Sequence, residues 1–217
     1  MTLHARTPAL RFVLASASPA RLALLRSAGV DPEVIVSGVD EDAVIGAPSE
    51  VALLLARHKV AAVVDRLATA DTVGAGNAPP VTLVLACDSV LELDGEAHGK
   101  PPDVATAVER WKSMRGRRGV LHTGHSLVKM DGQRQSRHEL ASAEVRFGNP
   151  TDAEIMAYVA TGEPLLVAGG FTLDRLGGWF VESIDGDPGT VLGLSLPLLR
   201  SMLAHVGVGV PTLWGLK

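Results

Sequence analysis

An acid, Asp88, and a base, Lys100, flank an Asp94-Gly95 turn signal within the stretch Val81 to Asp103. A carboxylate and an ammonium held together on a rigid support can activate water and grip an anion. A second group is Ser16-Ala17-Ser18-Pro19 with Arg21. There a tight polar turn meets a helix start, whose free N–H groups and guanidinium fork suit phosphate. Asp40-Glu41-Asp42 supplies carboxylates of the kind that hold a hard divalent cation. Arg57 and Lys59 then sit among apolar helix positions. Each feature also has a plain structural reading. Asp88 can cap a turn while Lys100 is solvated, and Ser18 can simply cap a helix with a surface arginine. The acidic run can be a solvated turn, and the helix cations can snorkel to water.

These residues need supports, and the pattern supplies them. Val81 to Ala86 is an apolar run expected to form a buried strand ending at Asp88. Leu91 and Leu93 then alternate into the Asp94-Gly95 hairpin, which delivers the loop Gly99-Lys100-Pro101. Upstream, Phe12 to Ala15 predicts a short strand. Ser18 is a natural N-cap, with Pro19 at the first helical position and Gly29 as the stop. Glu33 to Val36 reads as a strand, Pro48-Ser49 opens a second helix, and Asp71 to Pro80 is a loop. Asp103 caps a helix whose apolar face places Trp111 and Met114 in the core.

The second half is richer in strands. One begins near Val120, and His122 and His125 on it point to opposite faces, a poor metal pair. A hairpin at Asp131-Gly132 returns through Ala141, Ala143, Val145 and Phe147, which alternate with polar residues. Thr151 to Glu154 is a capping box opening a helix that stops at Gly162. A short strand from Leu165 to Ala168 is expected next, then Gly169-Gly170 for close backbone approach to a ligand or neighbour. A strand from Trp179 to Ile184, a tight turn at Asp185 to Gly189 and a helix capped by Ser195 complete the chain.

The 217 residues suffice for one large domain or two small lobes. With 47% apolar and 20% charged residues, the composition is that of a globular protein. A net charge of −4 disfavours nucleic acid and anionic membranes as partners. A polyanionic substrate would have to be met by local cations or a metal. The single cysteine, Cys87, cannot form an internal disulfide, which fits a reducing compartment. No apolar run reaches the roughly 18–20 residues of a membrane span. The N-terminal stretch lacks the apolar core of a secretory signal, so the cytoplasm is expected.

In order and spacing, several of these pieces resemble the Maf family of nucleoside triphosphate pyrophosphatases. The family's opening pattern stands here as Leu14-Ala15-Ser16-Ala17-Ser18-Pro19-Ala20-Arg21. Asp40-Glu41, Lys59, Cys87-Asp88-Ser89 and Gly99-Lys100-Pro101 match later family elements. Thr123-Gly124, Gly162-Glu163-Pro164, Ala168-Gly169 and Gly193-Leu194 are looser landmarks, and the likeness runs from about Phe12 to about Gly207.

The resemblance implies a single Maf-like domain over residues 1–217, with its core at about 12–207. It implies an α/β fold, in which a mixed twisted sheet in two lobes is packed by helices around a cleft, as in inosine triphosphate pyrophosphatases. It also implies hydrolysis between the α- and β-phosphates to a nucleoside monophosphate and pyrophosphate, with Mg²⁺ or Mn²⁺, and a homodimer. On this reading Asp88 is the general base and Glu41 and Asp88 are the metal ligands. Ser18, Arg21, Lys59 and Lys100 bind phosphate, and Asp174 lies in the base pocket, near Gly169-Gly170. Two departures bear on base choice. Ala20 replaces the first arginine, and Asp174 stands where the pyrimidine-preferring branch has glutamine, whose donor a carboxylate cannot supply. Ser89 replaces a threonine. A non-catalytic nucleotide-binding regulator of septum formation is the alternative; it would need the cradle but no base.

Overall fold

The computed structural model describes residues 10–41, 44–71 and 81–214. The expected loop over 72–80, the carboxylate of Asp42 and the N-terminal stretch read for a leader lie outside the described residues. The first elements are β1 (Leu10–Leu14), α1 (Pro19–Ser27), β2 (Glu33–Val34) and α2 (Pro48–Asp71). The middle of the chain forms β3 (Val81–Leu93), β4 (Glu96–His98), α3 (Val104–Met114), β5 (Arg118–Met130) and β6 (Arg134–Phe147). It closes with α4 (Asp152–Ala160), β7 (Val181–Asp185), α5 (Pro188–Val191) and α6 (Leu196–His205). The strands form one seven-stranded mixed sheet in the order β2-β1-β3-β5-β6-β7, with β4 paired to β3. β1 runs parallel to β2 and β3, and the other pairings are antiparallel.

Local chemistry explains the element ends. Ser18, Asp103 and Ser195 each accept a backbone N–H in the first turn of the helix that follows, and Thr151 with Glu154 forms a reciprocal capping box. Asp94 and Gly95 both have positive φ, 56° and 80°, the twist that a two-residue hairpin needs.

β3 is the spine of the molecule. Successive side chains on a strand face opposite ways. Leu83, Leu85 and Cys87 pack with Leu25 of α1 and Leu199, Met202 and Leu203 of α6. Val84 and Ala86 pack on the other face with Val60, Val63 and Val64 of α2. Farther along, Leu91 and Leu93 enter a different core built on Trp111, Met114, Phe147, Ile155 and Tyr158. Trp111 meets Phe147, Tyr158 and Phe180 edge-on at centroid distances of 5.9, 5.5 and 5.6 Å. One strand thus threads two lobes, and Asp88 and Ser89 lie where the lobes meet.

Four expectations are corrected. β3 does not end at Asp88 but runs through it, because the carboxylate is neutralised from α2 by Lys59. The strand expected at Leu165 to Ala168 is replaced by two 3-10 turns, Glu163–Leu166 and Ala168–Gly170. Gly169 and Gly170, at φ 72° and 74°, leave the extended region altogether. Trp179 and Phe180 belong to the 3-10 turn Leu176–Phe180, so β7 starts only at Val181. The strand at Glu33 is also shorter than expected, since the Val36 carbonyl is taken by the Arg66 guanidinium at 2.5 Å.

Candidate active site

The site grows from α2 lying across β3. Val84, Ala86, Asp88 and Val90 share one face of the strand, and α2 covers that face with Leu55, Val60 and Val63. Lys59 falls on the same helical stripe and is 6% exposed, as is Asp88 beneath it. Burying a carboxylate is costly unless it is paired. Here the Lys59 ammonium donates to Asp88 and, at 2.6 Å, to Glu41 Oε1. Glu41 in turn accepts from Lys100 through Oε2 at 3.3 Å. Glu41, Lys59, Asp88 and Lys100 therefore form one chain of ion pairs, from the mouth of the cleft to its floor.

Gly124 is what allows α2 this close. It pairs with Asp88 across the β3–β5 ladder, and a Cβ there would lie 2.3 Å from the Ala52 carbonyl oxygen. Sequence reading gave Gly124 no chemical role; its spatial signal is this bare patch under a helix backbone.

Arg21 approaches β3 from its other face, where it meets Ser89. β1 stops level with Leu85, and in the turn that follows Ser16 Oγ accepts from the Ser18 N–H while Ser18 Oγ caps α1. Arg21 is not a surface residue. Its Nε donates to the Gly193 carbonyl at 2.8 Å, and its two terminal nitrogens donate to Ser16 Oγ at 3.1 Å and Ser89 Oγ at 3.0 Å. Ser89 Oγ also lies 2.9 Å from Thr123 Oγ1, which donates to the Thr190 carbonyl. Arg21 thus fastens α1, β3 and the α5–α6 connection together while placing its charge behind Asp88. Ser16, Ser89, Thr123 and Gly193 were visible only as residues in a pattern, because their shared role depends on contacts far apart in sequence.

The electrostatics follow from this packing. Burial pushes the Asp88 carboxyl above its ordinary range, with Lys59 and Arg21 pulling the other way. Burial acts in the same sense on Glu41, but its hydrogen bonds and charge contacts to Lys59 and Lys100 outweigh it and hold that carboxyl low. The deeper acid is therefore the more basic of the two.

Oxygens from Glu41 and Asp88 converge on one small volume, now filled by the Lys59 ammonium. Carboxylate oxygens are donors that Mg²⁺ or Mn²⁺ accepts, the rest of its shell being completed by water and substrate oxygens. The residues fit a hard divalent cation. Among the described residues, no cluster of three or more His, Cys, Asp or Glu side chains is arranged to hold one. His122 and His125 are engaged elsewhere, with Glu92 and Ser142 and with Thr123 and Ser195 respectively.

Asp174 is the outlier. It is exposed, in a shallow hollow shared with Leu173, Arg175, Gly178 and Trp179, none of which belongs to the ion-pair chain. Gly169 and Gly170 make the close backbone approach expected of them, here to neighbouring residues. Both are buried, and a Cβ on either would press on Leu91 or Pro101 at 2.9 and 3.1 Å. They fix the Lys100 loop, since Gly169 N–H and Arg110 both donate to the Gly99 carbonyl. The loop bearing Asp174 is tied down by Glu163. Its Oε1 accepts from Tyr158 Oη at 3.1 Å, Thr172 Oγ1 at 2.5 Å and Gly177 N at 3.1 Å.

No helix among the described residues is long and apolar enough to cross a membrane. The family profile described as "Maf-like protein" matches residues 11–206. A protein of Streptomyces avermitilis named nucleoside triphosphate pyrophosphatase is 54% identical over 95% of this chain and 96% of its own length. One of the same name from Streptomyces coelicolor is 55% identical, over 95% and 96% respectively. Among solved structures, the Ham1 protein of Staphylococcus aureus aligns over 90% of this chain and 99% of its own. Its TM-score is 0.43 at 14% identity, too loose a likeness to bear on residue roles.

Proposed function

This chain belongs to the Maf family, and from that membership we propose that it is a nucleoside triphosphate pyrophosphatase, cleaving its substrate to a monophosphate and pyrophosphate. The observation that carries the reading is the buried Asp88 carboxylate, held by Lys59 beside Glu41 and Lys100 at the junction of the two lobes.

In the proposed reaction, Lys59, Lys100, the Ser18 hydroxyl and the N-terminus of α1 bind the phosphate chain, with the Arg21 charge behind them. Asp88 orients a water against the α-phosphorus and takes its proton as the new P–O bond forms. The bond from the α-phosphorus to the bridging oxygen breaks, and pyrophosphate leaves with that oxygen. Burial suits Asp88 to this task, since a carboxyl raised toward neutrality is a better proton acceptor. Glu41 and Asp88 would hold a divalent cation, Mg²⁺ or Mn²⁺, which neutralises phosphate charge and lowers the pKa of bound water. Asp174, on the loop clamped by Glu163, is the proposed contact for the base.

The fully buried Cys87 and the net charge of −4 support a cytoplasmic protein acting on a small anion rather than on nucleic acid or a membrane. A homodimer is the assembly that the family suggests. The test is a panel of ribo- and deoxynucleoside triphosphates with Mg²⁺ or Mn²⁺, followed by separate assays of monophosphate, pyrophosphate and orthophosphate. Monophosphate and pyrophosphate in equal amounts are expected. Orthophosphate with a diphosphate, or no turnover of any nucleotide, would overturn the reading.

A further inference from the structure

We propose that Lys59 is a tethered internal cation that excludes a divalent metal from Glu41 and Asp88 until a polyphosphate draws the lysine away. The inference rests on Glu41 and Asp88 being the metal's oxygen donors, as proposed above.

The geometry is a direct competition for the same oxygens. The Lys59 ammonium donates to Glu41 Oε1 at 2.6 Å and to Asp88, so its nitrogen sits where the two carboxylates converge. A Mg²⁺ ion needs such oxygens at about 2.0–2.1 Å, which puts its centre close to the same point. An ammonium and a dication cannot share it. In a site whose lysine and inner carboxylate are each 6% exposed, their repulsion would be poorly screened.

The lysine is also built to move. Its backbone is fixed in α2, between residues packed on the sheet, while four methylenes let the head swing. Leaving Asp88 unpaired is costly, so the swing requires a replacement partner for the ammonium and a replacement cation for the carboxylate. A metal-bound triphosphate supplies both at once. Neither metal alone nor the empty protein does. Substrate binding then frees the Asp88 carboxylate in the same step that delivers the metal.

Lys100 is the internal contrast. It bonds Glu41 Oε2 but has no bond to Asp88, and it is solvent-exposed. Removing it deletes one positive charge near the donors without vacating the point of convergence.

The test is Mn²⁺ binding to the full chain without nucleotide, read as loss of the free-ion paramagnetic resonance signal at constant pH and ionic strength. Wild type is compared with Lys59→Met, Lys100→Met and Lys59→Met/Glu41→Gln, each checked for native circular dichroism. Lys59→Met should bind Mn²⁺ about tenfold more tightly or better than wild type, and Lys100→Met should stay within about threefold. Equal affinity in Lys59→Met and wild type would overturn the proposal, and so would an equal gain in Lys100→Met. The double variant should lose the gain. If Lys59→Met gains but the double variant keeps that gain, the ion sits elsewhere, and the assignment of Glu41 as a donor falls instead. Should Lys59→Met fail to fold, Lys59→Gln carries the same comparison, since its amide keeps a donor on the carboxylates while losing the charge.

Discussion

Asp88 and Gly124 are paired across the β3–β5 ladder, and the absent side chain of one lets a helix descend onto the other. A single methyl at 124 would overlap the backbone of α2 at Ala52 and Leu53, at 2.3–2.6 Å. The helix would have to lift, and Lys59 would lift with it. Gly124→Ala should cost about 1–3 kcal/mol of stability by overpacking. It should also lower kcat for pyrophosphate release more than the stability loss explains, measured well below the melting temperature. Wild-type kcat with unchanged stability would show that the contact gives way freely.

Arg21 acts as a fork. Its three bonds to Gly193, Ser16 and Ser89 come from three nitrogens in a fixed plane, which a lysine ammonium cannot imitate. Arg21→Lys should destabilise the fold by about 1–3 kcal/mol in urea titration, because one ammonium cannot replace the buried bonds to the Gly193 carbonyl, Ser16 and Ser89 together. KM for the nucleotide should rise as the turn before α1 loosens. A fully stable Arg21→Lys protein would mean that the fork is dispensable.

Glu163 clamps the loop bearing Asp174. Glu163→Ala removes the shared acceptor of Tyr158, Thr172 and Gly177, and should cost about 1–3 kcal/mol. Glu163→Gln keeps an acceptor oxygen and should recover most of that stability. If the loop contacts the base, Glu163→Ala should also compress the ratio of kcat/KM between good and poor nucleotides. An unchanged ratio would detach this loop from base choice.

His125 sets a pH dependence of stability. It is buried as a neutral ring, with Nδ1 donating to the Thr123 carbonyl and Nε2 accepting the Ser195 N–H, and burial lowers its pKa from 6.5 to about 4. The unfolded chain therefore binds a proton that the folded chain refuses. The contribution is fully present above pH 6.5 and is lost as the pH falls from 6.5 to about 4, up to about 3 kcal/mol in all. Urea denaturation across that interval should show wild type losing stability more steeply than His125→Gln, by up to one proton. Parallel slopes would contradict it.

Much of this was legible in the sequence. Ser18, Asp103, Thr151 and Ser195 announce their helices because a capping side chain is a local device, needing only the next few residues. The α3 stripe places Trp111 and Met114 in the core for the same reason. What failed was long-range compensation. A carboxylate in an apolar run reads as a strand end unless the lysine that neutralises it, on a helix elsewhere in the sequence, is known to lie above it. Arg21 reads as a surface residue until Gly193 and Ser89 are seen around it. Leu165 to Ala168 reads as a strand because Leu165 and Val167 are apolar, but the chain there forms 3-10 turns. The two glycines with positive φ were the better guide.

The central claim is that Asp88 is the base that activates water at the α-phosphorus. Its most direct test is Asp88→Asn, which keeps the shape and removes the proton acceptor. Turnover to monophosphate and pyrophosphate should fall by about 10²–10⁴, while affinity for a non-hydrolysable α,β-methylene triphosphate stays within a few-fold of wild type. Retention of wild-type kcat in a correctly folded Asp88→Asn protein would contradict the account.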